Sequence, residues 1–197
     1  RRAVNEVRRA NPRRILDVAT GTGDLAIAMA RRIEGVQVMG VDLSEAMLAV
    51  ARRKVEARGL DNRIVLERGD AEHLAVADAS VDAATVAFGV RNFGDLAAGL
   101  HELARTIKPG GKVVILEFSR PRNRVFRALY EFYSYKILPR IGGLVSRDKR
   151  AYEYLPASVG EFPAPAEFLG MMEKAGFRNC RARSQSFGIA QIYIGER

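Results

Sequence analysis

The sequence predicts an α/β protein built on an open, mostly parallel seven-stranded sheet with helices on both faces. Three observations carry this expectation. Short apolar, strand-like runs alternate with helical periodicities through the first two-thirds of the 197 residues. A glycine turn, Gly21-Thr22-Gly23, follows the first run directly. Aspartates mark the ends of the first three runs, at Asp17, Asp42 and Asp70, where open α/β sheets bind their ligands.

The elements follow in order. Ala3, Val4, Val7 and Ala10 fall at helical spacing and open the chain with a helix. Strands are expected at 15–19, 36–41, 64–68 and 81–88, and helices at 24–33, 44–58 and 95–107, with Ser44 as an N-cap. Pro109-Gly110-Gly111 turns the chain into a strand at 112–118. The pattern then changes. Residues 120–155 are basic and aromatic with helical segments at 125–138 and 149–155, so they read as a helical cap inserted over the carboxyl edge of the sheet. A helix at 164–175 ends at Gly176, and strands at 179–184 and 188–195 close the chain as an antiparallel hairpin at the sheet edge. All 197 residues read as one domain: ligand-binding βα units to 119, the cap at 120–155, and the closing elements from 156.

Composition narrows the partners. No apolar run approaches the roughly 18–20 residues of a membrane span, and a lone Cys180 forms no intrachain disulfide, so a cytoplasmic protein is expected. The net charge of +9 is concentrated in two zones. Residues 1–14 carry six arginines against Glu6, and residues 120–150 carry nine Lys or Arg against Glu131 and Asp148. Such zones suit an anionic membrane, nucleic acid or plain solvation. The helical pattern already running at residue 1, with no methionine there, leads us to expect further chain ahead of it. No Cys, His and acid spacing fits a metal site, and neither His73 nor His101 falls where chemistry is expected.

The glycine turn with Ala26 satisfies a relaxed dinucleotide pattern, yet Asp17 at its front would repel a pyrophosphate. Asp42 stands about 20 residues beyond the glycines, where an acid binds ribose hydroxyls. Asp70, with Ala71 beside it, can accept from an adenine amino group; Met47 either covers the adenine face or belongs to the core. Three acids and no phosphate cradle favour S-adenosyl-L-methionine (SAM), which carries a sulfonium and an ammonium. The competing reading is that these acids only cap turns and helices. After the fourth strand, Phe88-Gly-Val-Arg-Asn92 should face the acceptor. It lacks the Pro-Pro-aromatic pattern of amine methylation, and no cysteine nucleophile stands at a strand end facing the site. An oxygen or carbon acceptor remains.

Several segments resemble the ubiquinone/menaquinone biosynthesis C-methyltransferase family, over essentially the whole chain. They are Asp17-Val-Ala-Thr-Gly-Thr-Gly-Asp-Leu25, Phe88-Gly-Val-Arg-Asn92, Lys108-Pro-Gly-Gly111 and Leu116-Glu-Phe-Ser119, with Tyr133-Ser134, Leu138-Pro-Arg-Ile-Gly142 and Tyr152-Glu-Tyr-Leu155 in the cap. The resemblance implies a class I SAM-dependent methyltransferase (Rossmann-like) fold and methylation of a prenylated quinol on a ring carbon. By motif match it implies SAM contacts at Thr22, Asp42, Asp70 and Ala71, and at Ala87, where the family often has serine. Residues 154–163 look more like the menaquinone-side members. The family also carries a Tyr-Asp-x-Met-Asn motif ahead of the region represented here.

The expected reaction ionises a quinol hydroxyl and aligns its ortho carbon with the methyl. Arg91 would steady the phenolate and Asn92 would orient it, while a water relayed by Arg91 or by a nearby carboxylate, with Asp148 as the candidate, would take the proton. Phe126, Tyr130, Phe132, Tyr133 and Tyr135 among the cap arginines suit an apolar entry that docks transiently on anionic lipid. Demethylmenaquinol is the expected acceptor, with the demethylated benzoquinol of ubiquinone synthesis as the alternative and RNA methylation or a non-catalytic SAM-binding module as further rivals; no nucleic-acid partner is expected, and a homodimer is left open.

Overall fold

A first helix, α1 (Arg2–Arg8), leads into β1 (Arg14–Val18), α2 (Asp24–Arg32), β2 (Gln37–Asp42), α3 (Glu45–Glu56) and β3 (Ile64–Arg68). Then come β4 (Val81–Ala87), α4 (Leu96–Thr106) and β5 (Ile107–Phe118). Beyond residue 160 follow α5 (Pro165–Lys174), β6 (Arg178–Gln185) and β7 (Ala190–Glu196). The computed structural model describes residues 1–119 and 161–197; the cap expected at 120–155, and Asp148 with it, lies outside the described residues.

The seven strands form one sheet in the order β3-β2-β1-β4-β5-β7-β6. Neighbours from β3 through β5 are parallel, and β7 runs antiparallel to both β5 and β6. The expected hairpin is therefore present, with β6 outermost. Composition sets that order: Gln191-Ile-Tyr-Ile-Gly195 is buried on both faces, whereas β6 carries Arg178, Arg181 and Arg183 at the open edge.

Strict alternation divides the core into two layers. On one face Leu16, Val18, Val86, Val113, Ile115 and Tyr193 pack with Leu100 and Leu103 of α4 and Phe168 and Met172 of α5. On the other, Ile15, Val38, Ala83, Val114 and Ile192 meet Val4 and Val7 of α1, Ile27 and Met29 of α2, and Val55 of α3. A fully buried side chain such as Leu100 contributes about 1.5–3 kcal/mol through removal of its surface from water.

Two boundaries depart from expectation. Strand β5 starts at Ile107, five residues early, because its pairing with β4 jumps from Val81↔Ile107 to Ala83↔Lys112. The Pro109-Gly110-Gly111 turn is thereby carried as an irregularity within the strand, with Gly110 at φ +79°. Strand β7 starts late, at Ala190, because Ser186–Gly188 form a 3₁₀ turn with Ser186 and Phe187 at positive φ.

Strand order reverses beside β1, whose two neighbours β2 and β4 lead in opposite directions, and the crevice this opens lies at the carboxyl ends. Two non-glycine residues leave the strands there in left-handed conformation, Ala19 after β1 (φ 52°) and Phe88 after β4 (φ 57°). The turns they begin are in contact: a Cβ on Gly89 would lie 2.5 Å from that of Ala19.

Candidate active site

A cavity of about 890 Å³ occupies this crevice. Over β1, β2 and β3 its wall includes Asp17, Gly21, Thr22, Asp42, Met47, Asp70, Ala71 and Glu72. Toward β5 it becomes apolar, with Val4 of α1, Leu25 and Ala28 of α2, Ala87, Phe88 and Leu116. Asn92 and Phe93 join the same wall, and Arg1 is its basic residue among the described residues.

Asp17 forms part of the floor rather than the rim. It is 1% exposed, and its carboxylate accepts from the Thr20 hydroxyl at 2.7 Å and from the Thr85 hydroxyl on β4. Burial pushes its pKa from about 3.8 up to about 6, despite these two donors and the Ala26 amide, with the nearby Asp42 charge adding to the rise. A cation arriving in the cavity would favour its ionised form.

Asp42 is fixed by backbone. One carboxylate oxygen accepts from the Gly21 amide at 2.7 Å and the other from Ser44 at 2.8 Å. It thus ties the glycine turn to the start of α3, and each oxygen retains a lone pair for a ribose hydroxyl. Gly21 and Gly23 adopt the positive φ that this turn requires, at 57° and 76°. Ser44 caps α3 as expected, accepting from the Met47 amide. Met47 itself is 45% exposed and its methyl stands 3.9 Å from where a Gly21 Cβ would be, so it overhangs the turn and is no core methionine.

Asp70 sits in the loop after β3, where its Oδ1 accepts from the Glu72 amide at 3.0 Å. The Thr22 hydroxyl is engaged within the protein, donating to Asp24 and accepting from Lys54 of α3 at 3.1 Å. Lys54 also pairs with Asp24 at 2.6 Å and so braces the turn from outside.

The acceptor loop brings a surprise. Asn92 lines the cavity, but the Arg91 side chain turns away from it and pairs with Glu117 of β5 at 2.8 Å. Arg91 is 10% exposed there and Glu117 fully buried; the guanidinium also donates to the carbonyl of the strained Phe88. Glu117 further accepts from the Phe118 amide, while burial raises its pKa against these favourable contacts. The guanidinium stacks on Phe118, whose ring lies 4.4 Å from that of Phe88. The pair secures the turn that carries Asn92.

Sequence reasoning placed Asp17, Gly21, Thr22, Gly23, Asp42, Met47, Asp70, Ala71, Ala87 and Asn92 together around the crevice. The structure does the same, with Gly23 as the N-cap of α2 just beneath it. Lys54, Glu72, Glu117 and the α1 residues were missed. Only Glu117 left a sequence signal, an acid within the apolar strand Val113–Phe118.

Comparison with known proteins agrees with this geometry. The model of the ubiE/COQ5 methyltransferase family matches residues 1–197. The chain is 48% identical over 198 residues to the ubiquinone/menaquinone biosynthesis C-methyltransferase UbiE of Geobacter sulfurreducens, covering all of this chain and 77% of that protein. It is 47% identical to the demethylmenaquinone methyltransferase of Thermus thermophilus, covering all of this chain and 88% of that one. Among solved structures, a SAM-dependent methyltransferase from Aquifex aeolicus superposes with a TM-score of 0.71 at 20% identity, over 98% of this chain and 89% of its own. The [4+2]-cyclase SpnF superposes at 0.66 with 19% identity, over all of this chain and 80% of its own, so the fold alone fixes no reaction. With its full length matched and nearly half its residues shared with curated members, this chain belongs to the ubiE/COQ5 methyltransferase family and is a SAM-dependent methyltransferase.

Proposed function

We propose that the protein transfers the methyl group of SAM to a ring carbon of a prenylated quinol, with demethylmenaquinol as its acceptor. One observation carries the reading: a single cavity is acidic over β1–β3 and apolar toward β5, with Asn92 in the shared wall. The acidic part suits a ligand with two positive charges, and the apolar part suits a quinol ring.

SAM supplies an electrophilic methyl held on a sulfonium. Asp42 and Asp70 would hold the adenosine, Met47, Ala71 and Ala87 would pack against the ligand, and Asp17 would balance its charge from below. The Gly21 and Gly23 turn, with Thr22 braced by Lys54, keeps this cradle in shape before any ligand arrives. On the acceptor side, Val4, Leu25, Ala28 and Leu116 exclude water, while Asn92 orients the quinol hydroxyl. Arg91 acts through the turn it secures with Glu117. Asp148 stands as the candidate proton acceptor.

Relatives named for the menaquinone step, from Thermus thermophilus and Deinococcus radiodurans, each 47% identical, support that acceptor over a benzoquinol. A lipid acceptor also supports transient work at an anionic membrane surface on its cytoplasmic side, drawn by the arginines of residues 1–14 and 120–150. No helix among the described residues is long and apolar enough to cross a membrane. The decisive assay offers demethylmenaquinol and a demethylated benzoquinol side by side with SAM. Faster methylation of the first supports the assignment; equal rates remove the menaquinone preference, and no turnover of either overturns the quinol reading.

A further inference from the structure

One side chain reaches from the adenosine side of the cavity to the loop that follows Asn92. Glu72 lies in the loop after β3, next to Ala71 and two residues from Asp70. Its Oε1 accepts from two consecutive amides across the cleft, Gly94 at 2.6 Å and Asp95 at 2.9 Å. Those amides belong to the segment between Asn92 and α4, where Asp95 is the N-cap through its bond to the Ala98 amide. A carboxylate shared by two backbone donors is a charge-assisted contact, stronger than a neutral one.

The segment it grips has little slack. Gly94 approaches so closely that a Cβ there would lie 3.1 Å from Glu72 Oε1. Just before it, the Phe93 ring lies 2.4 Å from where a Cβ of Gly99 would be, which seats that residue on α4. On the other side, the Glu72 amide donates to Asp70 Oδ1 at 3.0 Å. Asp70, Glu72, Gly94 and Asn92 therefore form a continuous line along one wall of the cavity. What settles the Asp70–Ala71 loop therefore has a direct hydrogen-bonded route to the Asn92 segment.

We propose that Glu72 is a positioning residue that couples cofactor binding to the acceptor loop, so that an occupied adenosine side sets Asn92 for the acceptor and SAM binds first. Glu72 touches neither reacting atom in this role. The inference rests on the methyl-transfer reading for its acceptor kinetics, but the coupling itself is observable without any acceptor.

The test uses the whole protein as wild type, Glu72→Gln and Glu72→Ala, with S-adenosylhomocysteine as the probe. Hydrogen exchange at the Gly94 and Asp95 amides should slow on adding the probe to wild type and to Glu72→Gln, which keeps an accepting oxygen. In Glu72→Ala the probe should still bind within about threefold of wild type but no longer slow those amides. In turnover assays Glu72→Ala should raise the acceptor KM by about tenfold or more, with a smaller change in the SAM KM. Unchanged probe-dependent protection in Glu72→Ala overturns the proposal. So does an equal loss of probe and acceptor affinity together with a collapse in melting temperature, which marks a merely structural contact. If protection behaves as expected but no quinol is methylated, the coupling stands and the acceptor assignment fails.

Discussion

The guanidinium of Arg91 and the carboxylate of Glu117 meet at 2.8 Å behind the cavity wall, beneath the turn that presents Asn92. Removing the guanidinium leaves the buried Glu117 carboxylate without its countercharge, whereas replacing both side chains by apolar ones removes the buried charge as well. Arg91→Ala should therefore lower the unfolding free energy by about 3 kcal/mol, and Arg91→Met with Glu117→Leu should recover most of it. Urea denaturation with constant m-values checks this. Acceptor turnover in the double variant then separates the roles: recovery assigns Arg91 to positioning, and its absence assigns a direct action on the acceptor.

Asp17 makes stability and ligand capture pull in opposite directions. Its folded pKa is raised to about 6 from about 3.8, so the fold prefers the protonated form. Its contribution to stability is complete below the lower value and is lost as pH rises through the upper one. Asp17→Asn should therefore be more stable than wild type at pH 7 by up to about 3 kcal/mol, a difference that vanishes below about pH 4. The same substitution should weaken SAM by about tenfold, because the floor no longer carries a countercharge. Denaturation across pH and calorimetric titration test the two halves separately.

The contact between the turns after β1 and β4 leaves no room for a methyl group. Gly89→Ala should cost about 1–3 kcal/mol through overpacking against Ala19. Because Ala19 and Phe88 both line the cavity, at the parts proposed for donor and acceptor, SAM affinity and acceptor KM should both deteriorate. Thermal melting and steady-state kinetics report the two effects.

Lys54 offers the contrasting case. Its pair with Asp24 is partly solvated, with Asp24 77% exposed, so Lys54→Met should change stability by less than about 1 kcal/mol. The Thr22 hydroxyl loses a donor, however, and the glycine turn its outer brace. A SAM dissociation constant raised about threefold or more, at unchanged melting temperature, is the expected signature.

The parts of this molecule visible in its sequence are those whose physics is local. Short apolar runs mark most of the strands, glycines mark where φ must turn positive, and Asp17, Asp42 and Asp70 stand at strand ends because that is where a parallel sheet opens. Ser44 announces α3 through capping geometry spanning three residues. What stayed hidden depends on contacts between distant segments. Arg91 and Glu117 are 26 residues apart, Lys54 and Thr22 are 32 apart, and the grip of Glu72 on Gly94 spans 22. No periodicity encodes such pairs. The hairpin order was decidable in principle, since the apolar Ile192-Tyr-Ile194 belongs inside and the arginine-rich strand outside.

The buried proton of Asp17 also gives cofactor uptake a chemical by-product. If Asp17 balances the cofactor's charge as proposed, an incoming sulfonium should displace its proton at mildly acidic pH, and each binding event should release a fraction of an equivalent of acid. Calorimetry in buffers of different ionisation enthalpy would then return different heats for one and the same complex. By mass action a falling pH should then loosen the methyl donor without any dedicated sensor.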